Sequence, residues 1–116
     1  MNQEEWIAEL KGIQPALFDG LRRMVAIPSI RGEAEDGAPF GRGPRQALDE
    51  VLAIASELGF QTKNIDNKIG YAQYGEDQSD GAYYGIFGHV DVMPLGEGWI
   101  SPALELTVRD GRLYGR

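Results

Sequence analysis

His89 is the only histidine in the chain, and Asp91 follows two residues later within Gly88-His89-Val90-Asp91-Val92-Met93-Pro94. On an extended segment, residues i and i+2 face the same side, so this spacing brings an imidazole and a carboxylate together. Such a pair has a defined chemistry. The neutral ring offers one nitrogen to a metal ion, while a carboxylate holds the N–H of the other nitrogen and fixes the tautomer. The same spacing also suits a solvated histidine at a strand end beside a turn aspartate, because one histidine is only a fraction of any metal site.

Composition narrows the alternatives. With no cysteine among 116 residues there is no disulfide framework, no thiolate nucleophile and no Cys-based zinc site, so any metal must be held by His, Asp and Glu. No G-x-S-x-G occurs, and a single histidine leaves a Ser-His-Asp enzyme little support. Gly41-Arg42-Gly43 precedes a helix, but the third glycine of G-x-G-x-x-G is missing and Pro44 removes a donor, so the stretch reads as loop geometry. Eleven Lys and Arg against 18 Asp and Glu give a net charge of −7, which predicts no nucleic-acid partner and disfavours a membrane surface. Glu4, Glu5, Glu9, Lys11 and Asp19 interrupt the amino-terminal apolar positions, so a signal-peptide core or membrane span is not expected there, and a cytoplasmic location is.

The elements that must position the pair follow from periodicity. Trp6, Ile7, Leu10, Ile13, Leu17, Leu21, Met24 and Val25 recur every three or four residues and predict an amphipathic helix over 3–26, kinked near Gly12 by Pro15 and ended by Pro28. Residues 29–43 read as a long loop whose Glu33, Glu35 and Asp36 form a solvated face. A second helix takes Pro44 in its first turn, buries Ala47, Leu48, Val51, Leu52, Ala55 and Leu58, and stops at Gly59. Residues 60–65 and 70–74 flank a turn and predict a hairpin, followed by a polar loop over 75–81. The apolar, aromatic run 82–88 predicts a strand covered on both faces, with His89 at its carboxyl end, where open α/β sheets place their ligands. Leu104 to Val108, Asp110-Gly111 and Leu113-Tyr114 predict a second hairpin. Trp99 and the tyrosines read as core or loop-anchoring side chains. The length allows one domain of α/β class.

Pro39-Phe40-Gly41-Arg42-Gly43-Pro44, the stretch from Asn64 to Gly70, the run from Gly88 through Pro94 to Leu95-Gly96-Glu97-Gly98-Trp99, and Asp110 to Arg116 together resemble the amino-terminal part of a known enzyme group. The chain is similar, in order and over nearly its whole length, to the bacterial dipeptidase V type. These are dizinc exopeptidases related to aminoacylase, carboxypeptidase G and succinyl-diaminopimelate desuccinylase.

The resemblance implies that residues 1–116 are the amino-terminal portion of one metallopeptidase catalytic domain, a mixed sheet flanked by helices and truncated before the sheet is complete. It implies that His89 is the first zinc ligand and that Asp91 orients it and supports catalysis. Two zinc ions would polarise the peptide carbonyl of a dipeptide and activate a bridging water, and the remaining ligands and the glutamate base would lie beyond Arg116. The fragment itself is then expected to be inactive, to hold no zinc stably and to self-associate through uncovered apolar surface. The rival readings are an N-acyl amino acid deacylase or desuccinylase of the same superfamily, and a non-catalytic α/β interaction module.

Overall fold

Asn2 opens the first helix with a reciprocal cap: its side chain accepts from the Glu5 N–H at 2.9 Å, and the Glu5 carboxylate accepts from the Asn2 N–H at 2.8 Å. In the computed structural model, which describes residues 1–77 and 79–116, this helix is α1, Gln3–Val25. Acidic Glu4 and Glu5 in its first turn and basic Arg22 and Arg23 in its last complement the helix dipole. The chain passes through Pro15 as one helix, as the unbroken apolar period predicts. Among the described residues no helix is long and apolar enough to cross a membrane.

The elements that follow are α2 (Arg42–Glu57), β1 (Gln61–Ile65), β2 (Ile69–Gln73), β3 (Thr107–Arg109) and β4 (Arg112–Tyr114). They fall into two compact units, one of Ile27–Leu95 and one of Met1–Ala26 with Gly96–Arg116. In the latter, β3 and β4 pair antiparallel, with Thr107 opposite Tyr114 and Arg109 opposite Arg112. Asp110 and Gly111, at φ 51° and 71°, make the turn that the Asp-Gly signal predicts. Gly115 lies so close to α1 that a Cβ there would sit 2.9 Å from Val25 Cγ1, and Val25 is the buried residue of that helix.

In the unit Ile27–Leu95, α2 starts two residues before Pro44, and Gly41 takes the N-cap at φ 93°. Pro44 still falls in the first turn, where its missing N–H has no intrahelical partner to lose. Ala47 and Leu48 are buried, and Val51, Leu52 and Ala55 are half-buried along the same face. Leu58 departs from the prediction: it lies past the last turn and is 64% exposed. The hairpin covers the earlier turns instead, and Gly70 of β2 is what lets it approach, because a Cβ there would meet Leu52 at 3.0 Å and Leu48 at 3.1 Å. β1 and β2 pair from Gln61–Gln73 to Ile65–Ile69. Asp66 and Asn67, both at φ 56°, turn the chain, and the Asn64 side chain holds Asn67 through two hydrogen bonds of 2.9 and 3.0 Å.

The 29–43 loop is more ordered than its composition suggests. Gly32 N–H donates to the Phe40 carbonyl at 2.9 Å, Glu35 and Ala38 exchange two bonds of 3.0 Å, and the Arg45 guanidinium donates to the Gly37 carbonyl at 2.7 Å. Glu35, expected as part of a solvated face, pairs with Arg42. Ile30 forms a parallel bridge with Val92, reinforced by a bond from Val92 N–H to the Ser29 carbonyl at 3.1 Å.

Two expectations about the sheet are corrected. In place of a mixed sheet the described residues form two separate two-stranded antiparallel sheets, and the only parallel pairing among them is the Ile30–Val92 bridge. The run 82–88 forms no strand: Tyr84, Ile86 and Phe87 are each at least 98% exposed, and no described residue pairs with them. A strand exists through its ladder, and apolar composition records a need for cover without supplying it. Gln78, within the predicted polar loop, lies outside the described residues.

Among the glycines of the unit Gly43 makes the tightest approach, since a Cβ there would lie 2.1 Å from the Pro28 carbonyl oxygen. Gly43→Ala is therefore expected to cost about 2 kcal/mol or more by forcing the backbone apart. Gly12→Ala, at a helical position with open space around it, is expected to gain about 0.5–1 kcal/mol. Urea unfolding of the two variants checks both signs; a neutral Gly43→Ala would show that the loop is not pinned there.

Candidate functional site

His89 and Asp91 meet as the i, i+2 spacing predicts. The His89 Nδ1 lies 2.9 Å from the Asp91 carbonyl oxygen and 3.2 Å from its Oδ1. Both partners of Nδ1 are acceptors, so the neutral ring carries its proton on Nδ1 and donates it to Asp91. The Nε2 lone pair is left without a hydrogen-bond partner among the described residues. Both side chains are exposed, at 82% and 59%, and a contact so open to water contributes at most about 1 kcal/mol to stability. Its consequence is orientation.

The Ile30–Val92 bridge sets that orientation in space. In parallel register Ile30 stands beside Val92, so alternation puts Arg31, Asp91 and His89 on the face opposite to both. That face opens into a cavity of about 610 Å³. Phe40 and the α2 residues Leu48 and Leu52 give it an apolar wall, the β1–β2 turn contributes Asn67 and Lys68, and Arg31, His89 and Asp91 line it as well. A volume of this order is usual for small-molecule sites, which run to about 300–1,000 Å³.

The donor set is incomplete for a metal. No group of three His, Cys, Asp or Glu able to hold an ion occurs among the described residues, whereas a catalytic zinc takes about three protein ligands. The pair fits one ligand position and its orienting carboxylate, and nothing more.

Arg31 and the cavity were not visible in the sequence, since the bridge that brings residue 31 to residue 91 spans sixty positions with no local signal. The glycines of Pro39-Phe40-Gly41-Arg42-Gly43-Pro44 carried a signal with a different meaning. A Cβ on Gly41 would approach the Gly32 nitrogen to 3.0 Å and one on Gly43 would strike Pro28, so both serve close packing. Away from the cavity, Asp77 accepts from the Tyr83 hydroxyl at 2.8 Å and from the Gln73 amide at 2.7 Å. The hydrogen bonds hold the Asp77 carboxyl below its ordinary range, and the one to Tyr83 pushes that phenol above its own.

No protein-family model matches the chain. Curated proteins do. The chain is 34% identical, over 113 residues and 96% of its length, to the "Putative dipeptidase YtjP" of Bacillus subtilis. The same identity and coverage hold for the "Putative dipeptidase SH1171" of Staphylococcus haemolyticus and the "Putative dipeptidase SAUSA300_1697" of Staphylococcus aureus. The match takes in 24% of each of these proteins, so the chain spans about a quarter of the length of its curated relatives.

The Nδ1 contact predicts a measurable tautomer. In ¹⁵N-labelled protein at a pH where the ring is neutral, His89 should be predominantly the Nδ1–H form, and Asp91→Ala should weaken that preference only in part, because the closer acceptor, the backbone carbonyl of residue 91, remains. A wild-type ring already in the Nε2–H form would mean that Asp91 does not orient it.

Proposed function

We propose that this chain is part of a dipeptidase-type hydrolase, in which His89 serves as a metal ligand through Nε2 and Asp91 holds it in that tautomer. The observation that carries the reading is the contact between His89 Nδ1 and Asp91, found at the edge of a small-molecule-sized cavity. Similarity to dipeptidases along 96% of the chain supports it and suggests dipeptides as substrates. The share of those relatives that is matched, 24%, leaves ample length for the ligands that a zinc site would need beyond this pair.

Zinc bound there, completed by residues outside this sequence, would polarise the peptide carbonyl and lower the pKa of a bound water. The part of this chain is preparatory. Asp91 keeps the Nδ1 proton in place, which leaves the Nε2 lone pair open to a metal ion. The apolar wall of Phe40, Leu48 and Leu52 excludes water from one side of the site. The neighbouring Ile30–Val92 bridge fixes the segment against the 29–43 loop.

The test uses a polypeptide that carries this sequence within the length of its relatives. Dipeptide hydrolysis should disappear on chelation and return with zinc, and His89→Ala and Asp91→Ala should each lower kcat/KM about 100-fold or more. Chelator-resistant turnover, or a near-wild-type His89→Ala enzyme, would remove the reading. Preference for N-acyl amino acids over dipeptides would move it to a deacylase.

Residues 1–116 alone should show no one-to-one zinc binding by calorimetry and no dipeptide turnover, because they hold one ligand and its orienter. With Tyr84, Ile86 and Phe87 uncovered, they should also self-associate as concentration rises in light scattering. Tight one-to-one zinc binding would show that the ligands are assembled within this chain after all.

A further inference from the structure

Asp-Gly occurs three times in the chain, at Asp36–Gly37, Asp80–Gly81 and Asp110–Gly111, and both residues of each pair are exposed to water. The pair has a chemistry of its own. A glycine nitrogen, with no Cβ beside it, can attack the side-chain carboxyl carbon of the aspartate before it: the N–Cγ bond forms, the nitrogen gives up its proton, and a carboxyl oxygen leaves as water. A second water then opens the five-membered succinimide. Opening at the new bond restores aspartate, and opening at the old peptide bond leaves isoaspartate, with one extra methylene in the main chain and a free α-carboxylate. Nothing is oxidised or reduced. Because the residue pair is the same at all three places, what separates them is the freedom of the backbone to bring nitrogen and carboxyl together.

Two of the three are restrained. Glu35 and Ala38 exchange two bonds of 3.0 Å across Asp36–Gly37, and the Arg45 guanidinium holds the Gly37 carbonyl at 2.7 Å. Asp110–Gly111 is the tight turn between β3 and β4, at φ 51° and 71°, closed by the Arg109–Arg112 pair. Asp80–Gly81 lies outside every strand and bridge of the described residues. Asp80 Oδ1 accepts from the Ala82 N–H at 3.0 Å, and a carboxylate bonded to the N–H two residues on is folded over the peptide nitrogen between them, the one that must attack. A Cβ on Gly81 would meet nothing within 4 Å, so the ring has room to close.

We propose that Asp80–Gly81 is a site of isoaspartate formation, and the preferred one of the three in the folded chain. Its product, an α-carboxylate on an exposed stretch, is of the class that accepts a methyl group from S-adenosylmethionine. The added methylene falls between Asp77 and Tyr83, which are joined by a hydrogen bond of 2.8 Å, and just ahead of Tyr84, Ile86 and Phe87.

The experiment ages the chain in dilute neutral buffer, once folded and once in urea, and digests it. Isoaspartate at each Asp-Gly is read by electron-transfer fragmentation and by methyl uptake from S-adenosylmethionine with an isoaspartyl methyltransferase. In the folded chain Asp80 should convert about fivefold or more faster than Asp36 or Asp110, and in urea the three rates should converge. Asp80→Glu, which would have to close a slower six-membered ring, should remove the signal at this position and leave the other two unchanged. Equal rates in the folded chain, a lead taken by Asp36 or Asp110, or no conversion at Asp80 would each overturn the assignment. A lead of Asp80 that persists undiminished in urea would overturn its structural cause.

Discussion

Where α2 begins, backbone meets backbone with no room for a side chain between them. Gly43 lies against the Pro28 carbonyl and Gly41 against Gly32, and these two approaches close the 29–43 loop on the start of the helix. The consequences run outward. Closure stations Ser29 and Ile30 where they can pair with Val92, and that pairing aligns Asp91 and His89 beside Arg31. The α2 face on the other side of the junction receives the β1–β2 hairpin because Gly70, too, lacks a Cβ. Three glycines, chosen for absence of bulk, thus bring together a loop, a helix and a hairpin that border one cavity.

The energetics of the pair itself are modest, which clarifies what selects its geometry. An exposed imidazole–carboxylate contact cannot hold a segment in place against chain entropy of about 1–2 kcal/mol per residue. The bridge and the loop must do that first, and Asp91 then decides only which nitrogen of the ring carries the proton. Scaffold and chemistry are separable: the glycine junction determines where His89 is, and Asp91 determines what its free nitrogen can do.

How much of this was legible in the sequence depended on the range of the interaction. Local signals were reliable. The Asp110-Gly111 turn, the hairpin about Asp66 and Asn67, the apolar face of α2 and the His89–Asp91 juxtaposition are all governed by residues within a few positions of one another, and each is found. Long-range signals were not. Nothing in residues 29–43 announces a partner at Val92, and the acidic appearance of Glu35 hid its pairing with Arg42. The run 82–88 failed for a related reason, since its pattern describes an environment, and a strand's environment is made by its neighbours. The family resemblance added a dipeptidase-type reading that spacing alone could not, and the similarity to putative dipeptidases along nearly the whole chain agrees with that reading.

The uncovered apolar surface gives the same lesson a physical direction. Trp6, Leu10, Ile13 and Leu17 share the apolar face of α1 and are all more than half exposed, and Tyr84, Ile86 and Phe87 are more so. A contiguous apolar patch of more than a few hundred Å² is unusual on a soluble monomer, and burial is worth about 25 cal/mol per Å². Both stretches were identified from the sequence as core-facing, one by a period of 3.6 and one by continuous apolarity, and neither finds its core among the described residues. The sequence pattern thus encodes two apolar faces suited to burial, and the second of them, 82–88, runs directly into His89, so a partner that buried it would also restrict the segment that carries the imidazole.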